Sequence, residues 1–251
     1  MTRNDRMKPG RRTFLVMAAT AAAGVVLAGA PGARSVAAEA PGKLRIGVIG
    51  SGNVGGTVGT LWVKAGHQVM FSSLDIEYDR KLAARIGSGA RAGTPKEAAA
   101  FGEVLFFAVP YRALPGLGRD LAAEIKGKIV LDACNPIPGR DGDMAKDALA
   151  KGTGVSSPEF LPGARIVRAY NEVGAARMRD EAHRAGERLG IPLAGDDAQA
   201  LKTAARLVRD AGHDPVVVGG LARAKDFDYG TAVFGRPMTA AELRKALGLK
   251  P

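Results

Sequence analysis

The sequence predicts an α/β fold: a doubly wound, mostly parallel sheet with helices on both faces. Three observations carry this. Short apolar runs at 45–49, 68–71, 104–108 and 129–132 alternate with stretches of helical spacing, which is the pattern of βαβ units. Run 104–108 (Val-Leu-Phe-Phe-Ala) is apolar at every position rather than at alternate ones, as a strand buried on both faces is. A glycine-rich turn, Gly50-Ser51-Gly52-Asn53-Val54-Gly55, joins the first run to the first helical stretch.

Each element has its own local signal. Spacing predicts a helix over 53–65 that stops at Gly66, a second over 77–86, and a third opened by Thr94 as N-cap with Pro95 in its first turn, where a missing N–H costs nothing. A helix is expected over 113–125, and loops with one short helix over the Gly- and Pro-rich residues 137–163. A strand over 165–170, a helix over 175–189 and a strand at 191–193 follow. Asp197 caps a helix over 198–211, Gly212 ends it, and 215–218 is the last strand. Thr239 opens a terminal helix to 247. The domain reading is a leader over 1–40, the α/β domain over 41–221 and an extension over 222–251.

Arg11-Arg12-Thr13-Phe14-Leu15 resembles the twin-arginine export motif. The Ala- and Gly-rich stretch after it is shorter than the ~20 strongly apolar residues of a spanning helix. Small residues gather at 35–40, and cleavage is expected after Ala38. The expectation is a periplasmic or secreted protein, carried by the twin-arginine machinery, with no membrane span after cleavage. An uncleaved anchor is the alternative.

Somewhat less than half of the net charge of +11 comes from this segment. Residues 1–38 hold six basic residues and Asp5, so removing them from 36 basic and 25 acidic residues leaves 30 and 24, or +6. The remainder forms no basic stripe, which speaks against nucleic acid as a partner. A lone cysteine, Cys134, cannot form an internal disulfide. The three histidines lack metal-ligand spacing, and no metal is expected.

The turn at 50–55 has G-x-G-x-x-G spacing between a strand and a helix, with a second strand starting at Gln68. In a Rossmann unit Gly50 permits the tight turn, Gly52 lets a pyrophosphate approach, and Gly55 lets the helix pack closely on the sheet. The amides from Gly52 to Val54 then face the phosphates at the helix N-terminus. An NAD site carries Asp or Glu at the end of the second strand. This chain has Phe71-Ser72-Ser73-Leu74 there. Two hydroxyls suit a 2′-phosphate, with Arg80 or Lys81 to add charge, so NADP(H) is expected with NAD(H) as the alternative.

Further phrases match in order: Lys64-Ala65-Gly66-His67-Gln68-Val69, Ala108-Val109-Pro110-Tyr111, Asp132-Ala133-Cys134-Asn135-Pro136, Arg168-Ala169-Tyr170-Asn171 and Gly195-Asp196-Asp197. Together with the turn and Phe71-Ser72-Ser73, they make residues 44–221 resemble the coenzyme F420-dependent NADP oxidoreductases, whose Rossmann unit is related to the N-terminal domain of pyrroline-5-carboxylate reductase. The resemblance implies that Ser51, Gly52, Asn53 and Val54 hold the pyrophosphate and Ser73 the 2′-phosphate. It implies that Val109 and Ala113 flank the adenosine side and that Asn171, Val173 and Ala175 sit near the nicotinamide. Leu74 stands where the family often has Arg, and Glu172 where a small or hydroxyl residue is usual.

Pro110, Tyr111, Asn135, Asn171 and Glu172 all follow strands, at the edge where open α/β sheets bind ligands. Asn171 and Glu172 are the catalytic candidates, Glu172 as a proton donor. Hydride transfer asks mainly for orientation and exclusion of water, so the lack of a triad is no objection. The expected activity is hydride transfer between NADP(H) and a flavin-like, deazaflavin or small imine or carbonyl acceptor. The alternative is an exported module that binds or senses a dinucleotide without turnover. A small-molecule substrate is the expected partner, and a homodimer is compatible with the sequence.

Overall fold

The protein is described from a computed structural model over residues 42–250. The expected leader lies outside the described residues. Eight strands form one sheet in the order β3-β2-β1-β4-β5-β6-β7-β8. They are β1 Arg45–Ile49, β2 Gln68–Ser72, β3 Ala90–Ala92, β4 Val104–Phe107, β5 Ile129–Asp132, β6 Arg165–Arg168, β7 Gly190–Gly195 and β8 Asp214–Gly219. All neighbours pair in parallel except β6 and β7. The helices are α1 Asn53–Lys64, α2 Ile76–Ile86, α3 Pro95–Phe101, α4 Leu114–Asp120, α5 Ala122–Ile125, α6 Pro138–Asp141, α7 Asp143–Lys151, α8 Thr153–Phe160, α9 Ala175–Asp180, α10 Ala198–Asp210 and α11 Ala240–Ala246.

Alternation along the strands divides the core. Val104 and Phe106 of β4 point into one cluster with Trp62, Leu131 and Tyr170. Leu105 and Phe107 point into the other with Ile49, Tyr111 and Val130. Both faces are thus covered, which is why these strands read as unbroken apolar runs. Trp62 anchors α1: its indole N–H donates to the carbonyl of Leu207 at 2.8 Å, and its ring meets Phe106 edge-on at 5.1 Å.

Three expectations need correction. Residues 137–163 hold three helices rather than one, and the glycines read as loop signals are their junctions, with φ +64 at Gly142 and +84 at Gly152. The helix expected over 175–189 ends at Asp180. His183 takes φ 57, and its N–H donates to the carbonyl of Gly212 at 3.0 Å, so a tertiary tether overrides the local helix propensity. The helix expected over 113–125 breaks at Leu121 into α4 and α5.

From Gly42 on, the described residues cluster as one compact unit. Phe227, Val233 and Leu243 bury themselves against Ala194, Val216 and Val218 of β7 and β8. No helix among the described residues is long and apolar enough to cross a membrane.

Candidate dinucleotide site

The carboxyl ends of β1 and β4 diverge at the topological switch point, where helices from neighbouring strands turn to opposite faces. The turn there tolerates only glycine at two places. Gly50 has φ +100, and a Cβ on it would lie 2.5 Å from the carbonyl oxygen of Ala108. A Cβ at Gly55 would run into the carbonyl of Gly50. Gly52 is different: it is exposed, and nothing lies within 4 Å of where its Cβ would be. The first turn of α1 has no side-chain cap and no acid. The positive end of a 12-residue helix, with its unbonded amides, therefore opens on clear space. That is the fit an anionic diphosphate requires.

Behind the turn, the N–H groups of Gly50 and Ser51 donate to the carbonyl of Ser72 at 2.9 and 3.0 Å. The Ser72 hydroxyl donates to the carbonyl of Val48 at 2.7 Å. Ser72 is fully buried, so it braces the turn and offers no hydroxyl to a ligand, contrary to expectation. Ser73 remains half-buried at the edge. Neither Ser51 nor Ser73 points its hydroxyl outward. Both donate to Asp79, a fully buried carboxylate on α2, Ser73 at 2.9 Å. Leu74 is fully exposed, and Arg80 pairs with Glu77 rather than lending its charge to Ser73.

Across the crevice, Val109 lies against Gly50, Pro110 is exposed and Ala113 is half-buried. Tyr111 does not join them. It is buried, and its hydroxyl lies 3.3 Å from Ser157 in the core, so the expected contact of its side chain with a cofactor is corrected.

The ends of β5 and β6 are locked by one buried cation. The Arg168 guanidinium reaches Asp132 at 3.2 Å and Asp228 at 3.3 Å, and donates to the carbonyl of Cys134 at 2.7 Å and to Asn135 Oδ1 at 2.9 Å. Asn135 in turn donates to the carbonyl of Asn171 at 2.7 Å, and Asn171 donates to the carbonyl of Phe227 at 3.0 Å. Both asparagines thus brace the loop after β6 and leave Asn171 Oδ1 without a hydrogen bond. Arg168→Met is expected to cost about 3–5 kcal/mol in urea unfolding, because it strands two buried carboxylates; a cost under about 1 kcal/mol would contradict that role. Cys134 beside this cluster is buried, and burial pushes its thiol up, as suits a small core residue.

The loop after β6 carries strain and an unusual acid. Tyr170 takes φ 60 and buries its ring among Trp62, Phe106 and His213, its hydroxyl unpartnered. Glu172 is 2% exposed, and neither carboxyl oxygen has a hydrogen-bond partner. Desolvation pushes its pKa up to about 8. The group therefore keeps its proton at neutral pH, yet neither oxygen reaches solvent. Val173 is buried beside it and Ala175 is half-buried at the start of α9. Asp197 caps α10 through the N–H of Ala200 at 2.7 Å and holds Arg165 in a paired contact. Among the described residues there is no cluster of three or more His, Cys, Asp or Glu placed to hold a metal ion.

Residues 45–136 match the model of the family described as NADP oxidoreductase, coenzyme F420-dependent. The match covers 92 residues, fewer than half of the chain. The span runs from β1 to just past β5 and includes the turn, Ser73 and Asn135. Metalloreductase STEAP3 of Rattus norvegicus is 28% identical over 197 residues, 76% of this chain; the chain spans 36% of that relative's length. Among solved structures, the Sinorhizobium meliloti protein SMa0349 superposes with a TM-score of 0.69 at 23% identity, over 78% of this chain and 95% of that one. An imine reductase of Myxococcus stipitatus superposes with a TM-score of 0.55 at 17% identity, over 82% of this chain and 62% of that one. At these identities the structures share the fold.

Asp79, Arg168 and Asp228 are the residues that sequence reasoning missed. Asp79 had a visible signal: with Leu82, Ala83 and Ile86 it sits on the inward stripe of α2, where helical spacing asks for an apolar side chain.

Proposed function

We propose that the protein is an oxidoreductase that transfers a hydride between NADP(H) and a flavin-like, deazaflavin or small imine or carbonyl acceptor. One observation carries the reading: clear space over Gly52 at the uncapped start of α1, in the crevice between β1 and β4. Asn53, Val54 and the turn amides would hold the diphosphate. Val109, Pro110 and Ala113 would flank the adenosine side, and the braced loop 171–175 would face the nicotinamide. The dinucleotide, when bound, supplies the hydride chemistry. The chain's own task is to bind, orient and exclude water. Asn135 and Arg168 fix the backbone of Asn171 so that the loop's position is set before any ligand arrives.

The twin-arginine motif supports a place of work outside the cytoplasm, reached by a route that carries folded proteins. Such a protein would leave with its dinucleotide already bound.

Fluorescence titration of the purified protein with NADPH, followed by oxidation assays with free flavin, deazaflavin and a cyclic imine, tests the reading. Saturable binding with turnover of at least one acceptor is expected. Failure to bind either NADPH or NADH would refute it, and binding without turnover of any acceptor would favour a sensing module.

A further inference from the structure

Resting on the dinucleotide reading above, the geometry points to Asp79 as the residue that sets the choice between a 2′-phosphate and a 2′-hydroxyl at the adenosine ribose, so that NAD(H) is accepted alongside NADP(H). In a Rossmann unit the end of β2 is where the ribose 2′ position is read. The residue at that edge is Ser73. A serine hydroxyl has one proton to give. The neighbours of Ser73 use it inward: Asp79 Oδ2 lies at 2.9 Å, the carbonyl of Asp75 at 3.2 Å, and the N–H of Asp75 donates back to the serine oxygen at 3.1 Å. The other oxygen of Asp79 holds the proton of Ser51. One buried carboxylate thus ties the phosphate turn to the ribose edge and withdraws a donor from each.

Two consequences follow for a ligand. A 2′-phosphate at Ser73 meets a hydroxyl whose proton is engaged, with a carboxylate one hydrogen bond behind it. Like charges at that separation repel. A 2′-hydroxyl is itself a donor and can be accepted by the free lone pair of Ser73. No ion pair among the described residues offsets the charge of Asp79, Leu74 is apolar and fully exposed, and Arg80 is paired with Glu77 on the outer face of α2. Asp79 plays in this chain, from the following helix, a part that NAD-type sites give to an acid at the strand end.

The test is a pair of titrations, NADPH and NADH, on wild-type protein and on Asp79→Asn, which keeps the shape and removes the charge. In wild type the two dissociation constants are expected to agree within tenfold. In Asp79→Asn the ratio is expected to move at least tenfold toward NADPH. Displacement of bound NADH from wild-type protein by 2′,5′-ADP and by 5′-ADP gives a second measurement that needs no variant to fold, and the two are expected to compete within tenfold of each other. A wild-type preference for the phosphorylated member above tenfold in either assay, or an unmoved ratio in Asp79→Asn, overturns the assignment while leaving the dinucleotide reading intact. Wild-type protein that binds neither dinucleotide refutes both.

Discussion

Glu172→Gln is expected to abolish a loss of stability that the wild-type protein shows as pH rises from about 4.5 to about 8. Below this window both folded and unfolded chains hold the Glu172 proton. Within it the unfolded chain releases the proton while the buried carboxyl retains it. The unfolded state then binds fewer protons, and folding stability declines with pH. Above about 8 the folded group ionises too and the decline stops. At 1.36 kcal/mol per pKa unit the full effect is about 5 kcal/mol. The amide variant has the same shape and does not titrate. Urea unfolding of both proteins at pH 5 and pH 8.5 should show a gap that widens by about 3–5 kcal/mol in favour of the variant at the higher pH. A gap of equal size at both pH values would mean that Glu172 is not held neutral in the fold. An acid kept buried at this cost, with two unpaired oxygens, is the kind of group that sits at working sites.

The second large effect separates two glycines of one motif. Gly52→Val is expected to leave thermal stability nearly unchanged, since no atom lies within 4 Å of the new Cβ, yet to weaken dinucleotide binding at least a hundredfold by filling the approach to the α1 amides. Gly55→Val is expected to act on the fold instead, as the packing role of the third glycine implies. Its Cβ meets the carbonyl of Gly50, so the fold is expected to lose about 3 kcal/mol or more by overpacking, whatever its effect on the ligand. Thermal melts and NADPH titrations on both variants decide the matter. Equal damage to stability from both would show that the space over Gly52 is not open, and unimpaired binding in Gly52→Val would remove the diphosphate from this turn.

Most of the sheet was legible because its strands announce themselves. Run 104–108 is apolar throughout, and a strand covered on both faces has no other way to look. Thr94 and Thr239 were readable as caps, and each closes a reciprocal capping box, because capping is a local transaction among four residues. The three-residue edge strand Ala90–Ala92 left no trace; with so few residues, pairing to β2 defines it. The early end of α9 was hidden for a related reason, since the tether from His183 to Gly212 joins residues far apart in the chain. At the site, the glycines were readable from spacing and strand context. The inward turn of Ser51, Ser72, Ser73 and Tyr111 was not, because the direction of a hydroxyl depends on partners such as Asp79 and Ser157 that spacing does not reveal. Arg168 reads as an ordinary polar strand end until Asp132 and Asp228 are seen on either side of it.

The bond from Arg168 to Asp228 has a consequence for biosynthesis. Asp228 also accepts the backbone and hydroxyl hydrogens of Thr153, at 2.9 and 2.6 Å, so it pins both α8 and the end of β6. A nascent chain that has made every strand still lacks this clasp until residue 228 clears the ribosome. The loop after β6 is therefore clasped late, after all eight strands have been made, and a fragment ending before residue 228 is expected to leave it loose.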